Sequence, residues 1–201
     1  MQSNNYEPLQ HQKKILTIPN ILSFFRICLI PVIAWLYCTK EAYVLTGCVV
    51  ILSGVTDVLD GYIARHYHMV SDLGKALDPI ADKMTQAVVL ICLIIRYPLI
   101  LIPFALFVLK ELFMGITGLL VIHNAEVMPS ANWHGKAATV LLYLMMVLHI
   151  FWGNIPTLCS ALLIAICTIM IAISFVLYGI KNIKTLCSAR QKSRETDERE
   201  V

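Results

Sequence analysis

Residues 57–83 read DVLDGYIARHYHMVSDLGKALDPIADK, and how this stretch is read decides the fold. It holds five carboxylates, Asp57, Asp60, Asp72, Asp78 and Asp82, inside a chain otherwise apolar enough to live in lipid. On a helix Asp57, Asp60, Gly61, Ala64 and Arg65 share one face, because side chains three, four, seven and eight positions apart line up. Gly74, Asp78 and Asp82 repeat that arrangement at steps of four. Two helices therefore each offer a small residue and two acids to a common space.

An ionised carboxylate at the bilayer centre is unfavourable by roughly 2.5 to 3.5 kcal/mol, so four of them facing one another need positive charge between them. Oxygen ligands without a nearby Cys or His pattern suit Mg²⁺, Mn²⁺ or Ca²⁺ rather than zinc or copper. Gly61 and Gly74 remove side chains beside the acids and let a polyanionic group come close. A metal pair holding a phosphate or pyrophosphate is the simplest tenant.

Written as a pattern, the stretch is Asp-x2-Asp-Gly-x2-Ala-Arg-x8-Gly-x3-Asp-x3-Asp. It resembles the signature of the CDP-alcohol phosphotransferase family of membrane enzymes, matched at Asp57, Asp60, Gly61, Ala64, Arg65, Gly74, Asp78 and Asp82. Residues specified at so many fixed spacings form a far sharper signal than a lone Gly-rich motif.

The resemblance implies transfer of a phosphatidyl group from CDP-diacylglycerol to an alcohol, with release of CMP. It implies two Mg²⁺ ions, or Mn²⁺, on Asp57, Asp60, Asp78 and Asp82, with Asp82 also the general base. Asp60, Gly61, Ala64, Arg65 and Gly74 would hold the nucleotide donor, and the lipid tails would lie in a groove open to the bilayer. Among relatives, the similarity is greatest to phosphatidylglycerophosphate synthases, whose acceptor is glycerol 3-phosphate. The acceptor phosphate would then meet Lys110, Lys136 and Arg26. Two departures stand out: Lys110-Glu111 replaces the usual Arg-Glu, and Gly135-Lys136-Ala137-Ala138-Thr139 has one lysine where two are usual. Cardiolipin synthases, which use phosphatidylglycerol, and serine- or inositol-using relatives are the alternatives.

Single residues outside the signature keep two readings each. Arg26 either borders the site or snorkels to the head groups. Lys110 either faces a polar cavity or pairs with Glu111, and Lys136 is either an acceptor contact or an interfacial anchor. Lys83 pairs with a carboxylate or reaches the interface, and Asp72 reads as a solvated loop acid. His66 and His68 fall on different helix faces and make no second metal site, while His123, His134 and His149 read as interfacial or packing residues.

The chain has 201 residues, 58% hydrophobic and 14% charged, which puts it among membrane proteins. Apolar runs reach the roughly 20 residues that span a bilayer. The expected fold is all-α with six transmembrane helices, near 17–38, 42–64, 74–96, 99–122, 136–152 and 157–180. The expected organisation is a polar segment over 1–14, a membrane domain over 15–180 and a charged tail over 181–201, as a solvated helix or a disordered end.

Lys and Arg concentrate on the side of the termini, at Lys13, Lys14, Arg65, Lys75, Lys136 and the tail, against Lys40 and Arg96 opposite. The termini and the Asp motif are thus expected to face the cytoplasm. Without an apparent signal or transit segment, the expected location is a bacterial cytoplasmic membrane. Seven cysteines without a C-x-x-C imply neither a disulfide framework nor a zinc site. The net charge of +3, without a basic stripe, leaves nucleic acid out as a partner. Small residues Ser53 and Gly54 would allow close packing on the second span, and Gly115 and Gly118 would serve packing within the chain or in the homodimer that the family implies. A divalent-cation transporter is the competing class, since acids in membrane spans mark ion pathways. Against it, the acids gather at one end, with no evident inverted repeat.

Overall fold

The computed structural model describes residues 18–66, 72–125 and 133–197, all helical apart from short connections. Six α-helices follow one another: α1 Ile18–Cys38, α2 Tyr43–His66, α3 Asp72–Arg96, α4 Leu101–Ala125, α5 Trp133–Phe151 and α6 Thr157–Asp197. A single 3-10 turn, Pro98–Ile100, leads into α4. Connections at 39–42, 97–100 and 152–156 are too short for anything but antiparallel neighbours, so the chain runs up and down. Pro31 and Pro79 lie inside α1 and α3 without ending either helix. Each lost amide donor is tolerated where neighbouring helices shield the backbone.

α1 packs most extensively on α2 and α3, and α4 on α6, while α5 joins the two groups through α6 and α2. The common core holds Ile33, Val50, Leu90, Leu93, Leu142, Met145, Met146 and Ile150. Two glycines face rings of neighbouring helices: a side chain at Gly47 would overlap Phe151, and one at Gly135 would overlap Tyr178. The packing expected at Gly54 is absent, because a methyl group there would meet nothing within 4 Å, and the same holds at Gly115 and Gly118. Among the described residues no contact accounts for these three glycines. The buried hydroxyls of Thr46 and Thr85 are satisfied locally, donating to the carbonyls of Ala42 and Ala81 at 3.0 and 2.8 Å.

The outward face is apolar. Leu158, Ile95 and Val58 are 72, 70 and 69% exposed, the reverse of a water-soluble helix bundle. Among the described residues four helical stretches are long and apolar enough to cross a membrane: Asn20–Cys38, Pro98–Gly118, Trp133–Phe151 and Thr157–Thr185. Among the described residues α2 contributes a shorter apolar run, Tyr43–Leu59. α6 continues without a break past residue 180, into the charged tail. At 1.5 Å per residue its 41 residues extend about 60 Å, twice the hydrocarbon thickness of a bilayer.

Candidate active site

α1 sets the site through a row at helical spacing. Asn20, Ser23 and Arg26 are all buried, at 7, 1 and 1% exposure, and the row turns inward toward α2 and α3. Arg26 Nη1 lies 2.5 Å from Asp57 Oδ1 on α2, and Nη2 lies 3.3 Å from Asp78 Oδ1 on α3. Ser23 Oγ lies 3.4 Å from the same Asp78 oxygen. One guanidinium thus gathers an acid from each half of the motif. Both carboxylates stay 37 to 40% exposed, open on the side away from Arg26. Of the two readings of Arg26, the snorkelling one is excluded by its burial.

Asp82, one turn beyond Asp78, has a different environment. The Tyr143 hydroxyl on α5 donates to Oδ1 at 2.7 Å, and the Gln86 amide donates to Oδ2 at 2.9 Å. Lys83 Nζ is 3.9 Å from Oδ2 and 3.3 Å from Glu111 Oε1, with its ammonium also over the Phe107 ring. Lys110 Nζ completes the row at 2.8 Å from Glu111 Oε1. Lys110 is buried, and its contact is Glu111, as the second of its two readings has it. Lys136 is exposed in the first turn of α5. Lys83 pairs with carboxylates.

Asp60, Gly61, Ala64 and Arg65 belong to the last two turns of α2, and Gly74 to the first turn of α3; their side chains lie outside the described ones, as does that of Asp72. His68 lies outside the described residues altogether. Among the described residues no three His, Cys, Asp or Glu side chains form a metal cage by themselves. The donor chemistry still fits a hard cation: oxygens of Asp57 and Asp78 from two helices converge on a place that accepts positive charge.

Two residues beside Asp82 escape a sequence reading. Gln86 extends the row Gly74, Asp78, Asp82 by one more step of four, a signal that was there to use. Tyr143 sits in an apolar run and carries no signal of its own.

Residues 16–178 match the family model of CDP-alcohol phosphatidyltransferases, and the chain belongs to that family. Its relatives include the cardiolipin synthase (CMP-forming) of Streptomyces coelicolor, 37% identical over 134 residues, which is 63% of this chain and 61% of that protein. The CDP-diacylglycerol–glycerol-3-phosphate 3-phosphatidyltransferase of Rickettsia bellii is 40% identical over 96 residues, 47% of this chain and 53% of the relative. A cardiolipin synthase and mitochondrial hydrolase fusion protein of Schizosaccharomyces pombe is 42% identical over 99 residues, 47% of this chain and 16% of the fusion. The chain spans less than two thirds of the length of each.

Proposed function

We propose that the protein transfers a phosphatidyl group from CDP-diacylglycerol to a glycerol hydroxyl, releasing CMP. The observation that carries this reading is the meeting of Asp57 and Asp78, from separate helices, at one point beside Asp82. Asp57, Asp60, Asp78 and Asp82 would hold two Mg²⁺ or Mn²⁺ ions, which when bound neutralise the pyrophosphate and the departing CMP. The motif acids and Arg65 orient the donor, and Gly61, Ala64 and Gly74 leave room for cytidine and pyrophosphate. Asp82 takes the proton of the acceptor hydroxyl as its oxygen attacks the phosphatidyl phosphorus. The bond from that phosphorus to CMP breaks, and CMP leaves with the electron pair. The bundle lies across the membrane with six spans, both termini and the acids toward the cytoplasm of a bacterial cell, where CDP-linked substrates are made. Outward Gly115 and Gly118 would suit a homodimer contact.

The acceptor read from the sequence is glycerol 3-phosphate. Phosphatidylglycerol is the second reading, and charge favours it. Lys110 is held by Glu111 at 2.8 Å and Lys136 is exposed, which leaves less cationic charge for a dianionic phosphomonoester than for a singly charged diester. Both acceptors present a free glycerol hydroxyl to the same base.

Purified protein in lipid nanodiscs, given CDP-diacylglycerol and Mg²⁺, is to be assayed for CMP with each acceptor in turn, alongside Asp82→Asn. CMP release that needs one glycerol acceptor, and that stops with EDTA and in Asp82→Asn, is the expected result. Release with serine or inositol alone would keep the family reaction and discard the acceptor. Metal transport without CMP release would discard the reaction.

A further inference from the structure

Asp57 and Asp78 are held directly by a cation, whereas Asp82 takes a hydrogen bond from a neutral donor on each oxygen, with the Lys83 ammonium further off at 3.9 Å from Oδ2. The torsion that turns a carboxylate plane is broad and nearly two-fold, so an Asp side chain without partners samples many orientations. Hydrogen bonds to opposite oxygens remove that freedom. Tyr143 fixes Oδ1 at 2.7 Å from across the bundle, and Gln86 fixes Oδ2 at 2.9 Å from one turn further along α3.

We propose that Tyr143 and Gln86 are positioning residues that set the orientation of the Asp82 carboxylate toward the acceptor hydroxyl. The inference rests on the reading of Asp82 as proton acceptor. Each carboxylate oxygen has two lone-pair sites, and each of these donors uses one, so both oxygens retain one for substrate or metal. The two donors also meet each other, Gln86 against the Tyr143 hydroxyl, so the three side chains form one polar group around the carboxylate. Gln86 is fully buried, and its amide oxygen has no hydrogen-bond partner among the described residues. An apolar side chain of the same length would pack there without stranding that oxygen, so the contribution of Gln86 lies in what it does bond, Asp82 and the Tyr143 hydroxyl. Tyr143 packs partly buried against the core that holds Leu142 and Met146, and its hydroxyl lies on the carboxylate. The two donors arrive from different helices, so the orientation also depends on how α5 sits against α3. A misplacement of about 1 Å can lower a rate 100-fold.

The test uses the full chain in nanodiscs, with Tyr143→Phe and Gln86→Met compared with wild type and Asp82→Asn. The expected result is a kcat lower by about 10-fold to 100-fold in each variant. KM for donor and acceptor stays within about twofold and the melting temperature is nearly unchanged, a split that follows from orienting a group used in the chemical step. An infrared carboxylate band, isolated as wild type minus Asp82→Asn without substrate, should shift in Tyr143→Phe. That readout does not depend on activity. Loss of kcat only in proportion to lost folded protein, or a band that does not move, overturns the proposal. Wild-type kcat in both variants beside an inactive Asp82→Asn overturns it alone. Wild-type kcat in Asp82→Asn removes instead the reading of the base on which it rests.

Discussion

The two ends of the bundle face the same difficulty, polar groups inside an apolar shell, and meet it with different chemistry. At the end built from the start of α1, the end of α2 and the start of α3, charge faces charge: Arg26 against Asp57 and Asp78, then Lys83 and Lys110 about Glu111. At the opposite end most partners are neutral. His149 Nδ1 donates to the Met145 carbonyl at 2.8 Å, which leaves Nε2 to accept from Ser160 Oγ at 2.9 Å. Arg96 there lies 5.0 Å from the Tyr43 ring and 5.7 Å from the Tyr97 ring, and donates to the Gly153 carbonyl. Closing a bundle needs only neutral bonds of this kind. On the proposed function, acids kept at the other end, at a higher desolvation cost, would serve a ligand that carries charge.

The most direct way to break that contrast is to neutralise one acid without changing its shape. Asp78→Asn should lower CMP release on the order of 1,000-fold, the equivalent of the several kcal/mol a bound metal contributes to a transition state. Thermal stability of the purified protein should change little. Activity retained within tenfold would make the acids structural and erase the difference between the two ends.

Removing the cation probes the same end through folding. Arg26→Ala leaves Asp57 and Asp78 without their shared partner, and breaking a fully buried pair costs about 3 to 5 kcal/mol. Both acids keep more than a third of their surface exposed, so about 2 kcal/mol is expected, read as lost stability in denaturant titration. Arg26→Lys should recover only part, since one ammonium cannot bridge two carboxylates as a fork does. At the neutral end Ser160→Ala strands His149 Nε2 and should cost about 1 kcal/mol, with CMP release within twofold of wild type. A large loss of activity in Ser160→Ala would mean that the two ends are coupled.

The helices were legible in the sequence because each is an apolar run closed by short polar punctuation, and the site because its residues recur at helical steps. Asp57, Asp78 and Arg26 meet where those steps pointed. The contact between Lys110 and Glu111 was one of two readings, and only the rotamer chosen in a packed bundle could select it. Tyr143 was illegible: a tyrosine among leucines and methionines looks like core until the opposing helix is seen to carry Asp82. The uninterrupted α6 was also hidden, because a charged tail reads equally as solvated helix or as disorder. Close packing went to Gly47 and Gly135 rather than Gly54, since which glycine meets a ring depends on helix rotation about its axis.

The smallest effect expected sharpens the comparison at its one apparent exception. Arg96 is a cation at the neutral end, yet no carboxylate in the described residues holds it; two ring faces and a backbone carbonyl do. An exposed cation over an aromatic face is worth about 0.5 to 1 kcal/mol, so Arg96→Met should lower stability by no more than that and leave CMP release unchanged. Methionine keeps much of the apolar stem that covers the rings, which confines the change to charge and hydrogen bond. If Arg96→Met cost as much as Arg26→Ala, charge would matter equally at both ends, and burial of ionised groups would no longer single out the end that holds the acids.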